Sequence, residues 1–128
     1  HPVPVYLGAE DVELLNWQPP TAQLIAPAHG QTIAVGRLTL HCLLTPGHTP
    51  GGICYRLDDR EVPACFVGDT LFAGSIGRSN PSMLYETHVA SVRTTVLGLA
   101  PEYRLLPGHG PATTVEEERA NNPFYASA

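Results

Sequence analysis

Three short glycine-flanked turns constrain this chain more than any other feature. They are Pro46-Gly47-His48-Thr49-Pro50-Gly51-Gly52, Gly68-Asp69-Thr70 and Pro107-Gly108-His109-Gly110. Each follows an apolar, strand-like run and carries one imidazole or carboxylate. Glycine lets the backbone turn sharply and approach a neighbour closely, and proline stiffens the approach. A borderline dication needs neutral imidazole nitrogens and an anionic oxygen brought together from separate loops. His48, Asp69 and His109 are therefore candidate metal ligands, and the sequence upstream of them supplies nothing to complete a site.

Between these turns the chain alternates loops with short apolar runs. Residues 3–7 read as a strand. Residues 9–15 read as a short helix with Glu10 and Asp11 at its positive amino end. Pro19, Pro20 and Pro27 make 16–30 a loop. Residues 32–35 and 37–44 form a predicted hairpin across Gly36. In its second strand Leu38, Leu40, Cys42 and Leu44 share one face, with Thr39 and His41 on the other. Residues 52–57 and 64–67 are two further strands, separated by the charged turn Asp58-Asp59-Arg60-Glu61.

The spacing of Tyr85, Val89, Val92, Val96 and Leu99 predicts one helix over 83–99. A last strand follows at 103–106. Thr114 with Glu117 forms a capping box for a closing helix.

Strands first, then helix, strand and helix, is an α/β (α+β) arrangement with helices covering one face of a sheet. The strands at 38–44, 53–57 and 64–67 need cover on their other face too, and the chain offers little material for it. A missing partner layer is the expectation. With 128 residues, the chain is one domain's worth and large enough to bury a core.

Composition excludes some partners. A net charge of −5 with no basic stripe argues against nucleic acid. No apolar run approaches the roughly 20 residues that span a bilayer. Cys42, Cys54 and Cys65 include no CxxC pair, so reduced core thiols in a cytoplasmic protein are expected. The chain begins at His1 and its only methionine is Met83, which suggests a fragment, a processed product or a trimmed chain.

Taken singly, the candidate ligands are weak, because a lone histidine is more often a hydrogen-bonded structural residue. His29, His41 and His88 stay in that class. Gly68-Asp69 alone could be a strand-ending turn, and Gly108-His109-Gly110 a loop with an exposed imidazole. Together they carry more weight. All three motifs follow a strand, so parallel strands would bring them to one sheet edge, where catalytic loops gather.

The strings TPGHTPGG at 45–52, FVGDTLFAGSIGR at 66–78 and LLPGHGPATTVEEERANNPF at 105–124 closely resemble the metallo-β-lactamase superfamily, nearest its small glyoxalase II-like hydrolases. The resemblance runs from about residue 3 to residue 124. It implies a four-layer αβ/βα sandwich of which residues 1–128 form the second, carboxy-terminal αβ half. It also implies that His48 binds one metal, His109 a second, and that Asp69 bridges both as the catalytic carboxylate. The family's other ligands come from an HxHxDH motif, which this chain lacks.

The intact parent would hold two zinc ions, or iron or manganese, roughly 3.5–4 Å apart. It would cleave a small-molecule thioester such as S-lactoylglutathione. Arg78, in Gly77-Arg78-Ser79-Asn80, is a candidate for guiding an anionic substrate. Asparagine stands at position 80, where related segments carry aspartate.

The resemblance leaves three readings. The first is a thioesterase-like parent whose fragment is inactive and binds metal weakly or not at all. The second is a parent that is a mononuclear iron persulfide dioxygenase. The third is a non-catalytic half-domain that binds the missing amino-terminal half, or a second copy, through its bare sheet face.

Overall fold

A computed structural model of the chain describes residues 3–17, 20 and 23–126. His1, and residues 18, 19, 21 and 22 of the expected loop, lie outside it. In chain order the elements are β1 (Val5–Tyr6), a 3-10 helix (Ala9–Leu14), β2 (Leu24–Ile25), β3 (Thr32–Val35), β4 (Leu38–Leu44), β5 (Ile53–Leu57) and β6 (Ala64–Gly68). The short hairpin β7 (Leu71–Phe72) and β8 (Ser75–Ile76) comes next. The rest is α1 (Tyr85–Ser91), β9 (Arg104–Pro107), β10 (Thr113–Thr114) and α2 (Val115–Asn121).

Six strands form one sheet in the order β10-β9-β6-β5-β4-β3. The hairpin predicted across Gly36 is present, with Thr32 opposite His41 and Val35 opposite Leu38. β4, β5 and β6 pair antiparallel in succession, and β6 pairs parallel with β9. Hence β4, β6 and β9 all run the same way. Their carboxy ends, Leu44, Gly68 and Pro107, share one sheet edge, so the three glycine-flanked turns do as well.

Side-chain alternation divides the sheet into two unlike faces. Leu43, Cys54, Cys65, Val67 and Leu105 point into a core completed by Val92, Val96, Leu97 and Val115 from the helical layer. Burying one such valine or leucine contributes about 1.5–3 kcal/mol. The three cysteines are free and buried. The leucine-rich side of β4 is the opposite face. There Leu38 and Leu44 remain 46% and 37% exposed, and Phe66, across from Tyr55, 44%.

The helix expected over 83–99 is not a single α-helix. A 3-10 turn (Ser82–Leu84) leads into α1, which widens into a π-helical turn at Val92–Val96. Leu97 N–H donates to the Val92 carbonyl, five residues back, at 2.8 Å. The wider turn brings Val92, Val96 and Leu97 into the core together. Tyr85, expected on the apolar stripe, is instead 49% exposed. Arg119 donates to the carbonyls of Leu97 and Leu99 and so closes the helix end.

Residues 16–30 are not all loop, because β2 pairs parallel with β1. The expected capping box is half present. Thr114 Oγ1 accepts the Glu117 N–H at 3.1 Å, while the Glu117 carboxylate turns to Asn121. Glu118, almost fully buried, accepts from Gly74 N–H, Thr113 Oγ1 and Asn122 Nδ2. Three donors offset the cost of burying that carboxylate and tie α2 to the β7–β8 hairpin.

Candidate functional site

The turn carrying His48 is closed on itself and anchored from outside. Thr45 N–H donates to the Gly52 carbonyl at 2.8 Å, and Gly47 N–H to the Thr49 carbonyl at 2.9 Å. Gly47 has φ +149°, a region L side chains rarely adopt. Across the cleft, Asp11 accepts the Gly51 N–H at 2.7 Å and the Thr49 hydroxyl at 2.5 Å. In the sequence Asp11 reads as an acid at a helix amino end; here it is the outer tether of the His48 turn.

His48, Asp69 and His109 come together. His109 Nδ1 donates to Asp69 Oδ1 at 2.8 Å, and His48 Nε2 lies 3.6 Å from Asp69 Oδ2. Each oxygen of one carboxylate thus faces a different imidazole. The side chains of His48 and Asp69 are 35% and 29% exposed, as befits the wall of an open cleft, whereas His109 is 76% exposed with its ring edge-on to Phe72. A cavity of about 210 Å³ is lined by His48 and Asp69 with Asp11, Thr49, Tyr6 and Tyr55.

The orientation of His48 has an identifiable cause. Its Nδ1 lies 2.8 Å from the Arg78 carbonyl oxygen. A carbonyl can only accept, so Nδ1 carries a proton, and Nε2 is the nitrogen turned toward Asp69. Backbone and ring come this close because position 77 is glycine. A Cβ there would lie 1.7 Å from the Asp69 carbonyl oxygen and 3.3 Å from His48 Nδ1.

His88 is fully buried and uses both ring nitrogens, with Nε2 2.8 Å from the Thr70 carbonyl and Nδ1 3.1 Å from Ser79 Oγ. It is a hydrogen-bonded structural residue, as expected, but it lies beneath the candidate ligands. Burial holds its pKa below the usual histidine value, and the nearby His48 charge adds to the effect against the Thr70 hydrogen bond. Nothing in the sequence separates it from a surface histidine on a helix.

The remaining expectations resolve simply. His29 Nδ1 accepts the Leu44 N–H, and His41 faces Asp58 at 3.5 Å. Arg78 is exposed beside a cavity of about 530 Å³ lined also by Ser82, Tyr85 and Phe124. Its carbonyl, rather than its guanidinium, touches His48. No helix among the described residues is long and apolar enough to cross a membrane.

The donor set fits a borderline dication. Two imidazoles flank one carboxylate, and His48 donates its second nitrogen to a backbone carbonyl, an arrangement typical of metal-bound histidine. A lone pair and a carboxylate oxygen facing each other at 3.6 Å repel unless a proton or cation lies between them. Among the described residues no group of three or more histidine, cysteine, aspartate or glutamate side chains is arranged to hold a metal ion by itself.

The sequence model of the Metallo-beta-lactamase superfamily matches residues 9–110. The chain is 38% identical over 99 residues to the hydroxyacylglutathione hydrolase GloC of Haemophilus influenzae, covering 77% of this chain and 46% of that protein. It is 30% identical over 131 residues to the probable polyketide biosynthesis zinc-dependent hydrolase BaeB of Bacillus velezensis, covering 94% and 53% respectively. Among solved structures, TTHA1623 in a di-iron-bound form superposes with a TM-score of 0.78 at 32% identity, covering 94% of this chain and 64% of that one. The chain spans about half the length of the curated relatives it matches.

Proposed function

The chain belongs to the metallo-beta-lactamase superfamily, and from that premise we propose that His48, Asp69 and His109 are its share of the metal centre of a thioester hydrolase. The observation that carries this reading is the His48–Asp69 pair. A backbone carbonyl holds His48 with Nε2 toward a carboxylate oxygen at 3.6 Å, a pairing that needs a proton or a cation between the two atoms. The similarity to GloC supports a hydroxyacylglutathione-type thioester as substrate. The zinc-dependent and di-iron-bound relatives support zinc or iron as the metal.

A bound dication supplies Lewis-acid polarisation of a carbonyl and a water acidic enough to attack it near neutral pH. The chain's own residues do the rest. His48 and His109, each against a different oxygen of Asp69, would offer imidazole nitrogens to the metal centre. Asp69 would supply the anionic oxygen between them. Arg78, at the mouth of the neighbouring cavity, would hold an anionic substrate carboxylate.

Three donors leave zinc short of the four it prefers. On this reading the remaining ligands come from outside these 128 residues, and the chain alone binds zinc weakly and does not turn over. The exposed sheet face around Leu38, Leu44 and Phe66 is then where that further part of the protein, or a second copy, packs.

The test is hydrolysis of S-lactoylglutathione and simpler acyl thioesters by the full-length, metal-loaded protein, before and after chelation, beside Asp69→Asn. Metal-dependent cleavage lost in the variant supports the reading. Oxygen consumption with glutathione persulfide and no thioester cleavage would replace it with an iron oxygenase. Tight, stoichiometric zinc in the 128-residue chain would overturn the divided centre.

A further inference from the structure

From one buried residue, His88 reaches the chain neighbours of His48, Asp69 and Arg78. Its Nε2 donates to the carbonyl of Thr70, next to Asp69, and its Nδ1 accepts from the hydroxyl of Ser79, next to Arg78, whose carbonyl fixes His48. Its Cα and Cβ pack flat against Gly47, next to His48. A Cβ on Gly47 would lie 2.3 Å from the Cβ of His88. Two further bonds lock the assembly: Ser91 Oγ donates to the Pro46 carbonyl at 2.8 Å, and Asn80 N–H to the Gly47 carbonyl at 3.1 Å.

We propose that His88 is a positioning residue that sets the spacing and ring orientation of His48 against Asp69. The proposal rests on the reading of those two as metal donors. A rigid ring with a donor at one edge and an acceptor at the other can hold the Thr70 and Ser79 segments a fixed distance apart. An apolar side chain of similar volume would fill the space but leave the Thr70 carbonyl with only the long Gly77 N–H bond at 3.4 Å. Core filling and positioning therefore predict different tolerances at this position. His88 touches no reacting atom in this scheme, so its role is orientation.

The experiment compares His88→Gln, which keeps a donor near the Nε2 position, with His88→Phe, which keeps volume alone, in the full-length protein. In the metal-free protein, long-range 1H–15N spectra report whether His48 is in its Nδ1–H form. Competition with a chelator then measures zinc affinity, and thermal melts check folding.

We expect wild type and His88→Gln to show the Nδ1–H form and zinc affinities within a few-fold of each other. His88→Phe should lose that form and bind zinc about 10–100-fold more weakly. A folded His88→Phe that keeps the wild-type His48 signal and zinc affinity overturns the proposal. If His88→Phe does not fold, Ser79→Ala decides: exchange of His48 Nδ1–H should quicken about tenfold, and unchanged exchange overturns the proposal. Should no form bind zinc, the metal reading fails, while the His48 tautomer still tests the role of His88.

Discussion

His48 Nδ1 stands 2.8 Å from the carbonyl oxygen of Arg78, and that bond decides which nitrogen looks at Asp69. Opposite that nitrogen the carboxylate oxygen, 3.6 Å away, is favourable only with a proton or a cation between the two. Functional sites commonly hold strain of this kind at the expense of stability.

Asp69→Asn separates the two effects. An amide oxygen can still accept from His109, and an amide N–H can donate to His48 Nε2, so both neighbours keep a partner without the charge. The variant should melt at or slightly above the wild-type temperature without metal, yet bind zinc at least about 100-fold more weakly, beyond the usual effect of an outer-shell change. Calorimetry and chelator competition on one preparation check both. A lowered melting temperature would contradict the account of the pair.

Asp11→Ala removes two hydrogen bonds to a carboxylate, from Gly51 N–H and Thr49 Oγ1. Bonds of this kind contribute roughly 1.5–3 kcal/mol each, and partial solvent access keeps the total toward the lower figure. The expected result is a destabilisation of about 2 kcal/mol with faster hydrogen exchange at Gly51 and Gly52. Unchanged exchange there would show that the His48 turn holds itself.

Gly77→Ala tests the close approach beneath the site. The added Cβ would lie 1.7 Å from the Asp69 carbonyl oxygen, and backbone rather than a flexible side chain must yield. A loss of about 3 kcal/mol or more is expected, at the upper end for overpacking, accompanied by weakened zinc binding because Asp69 and His48 are both displaced. Chemical denaturation and the same zinc assay measure it. Wild-type stability would mean that the 69–77 segment is freer than its hydrogen bonds imply.

The sequence carried the placement of the three motifs well, because strand alternation and turn residues are local signals. Leu38 to Leu44 and the β3–β4 hairpin are legible from period and glycine alone, whereas the common direction of β4, β6 and β9, a condition in the sequence, is supplied by the pairing. What escaped was non-local. β2 and β10 are two-residue strands that form through their partners. The π-helical turn answers to Val92, Val96 and Leu97 sharing one core, which a helical stripe cannot anticipate. Asp11 and His88 act through residues far along the chain, so their neighbours in sequence give no hint of their partners.

The apolar sheet face should govern association. Leu38, Leu44 and Phe66 stay 37–46% exposed on one side of the sheet, and apolar surface left on a sheet face favours a partner. The 128-residue chain by itself should self-associate in sedimentation experiments, and Phe66→Lys with Leu38→Lys should shift it toward monomer without loss of secondary structure. A monodisperse wild-type monomer would count against that face as an interface.

Acid should destabilise the fold partly through His88. Its folded-state pKa is depressed below the ordinary 6.5, chiefly by burial, so below about pH 6.5 the unfolded chain takes up a proton that the folded chain refuses. The unfolded state then binds more protons, and stability falls as pH falls from 6.5 toward the depressed value. Above pH 6.5 both states are neutral at this position and its contribution is flat. The hydrogen bond to the Thr70 carbonyl partly offsets the burial, and His48 nearby adds to the depression. Melting temperatures at pH 7.5 and 5.5 should therefore drop further for wild type than for His88→Gln, which has nothing to protonate there. Equal drops in the two proteins would mean that carboxylates elsewhere carry the acid sensitivity and that His88 accepts its proton without disturbing the Thr70 and Ser79 bonds.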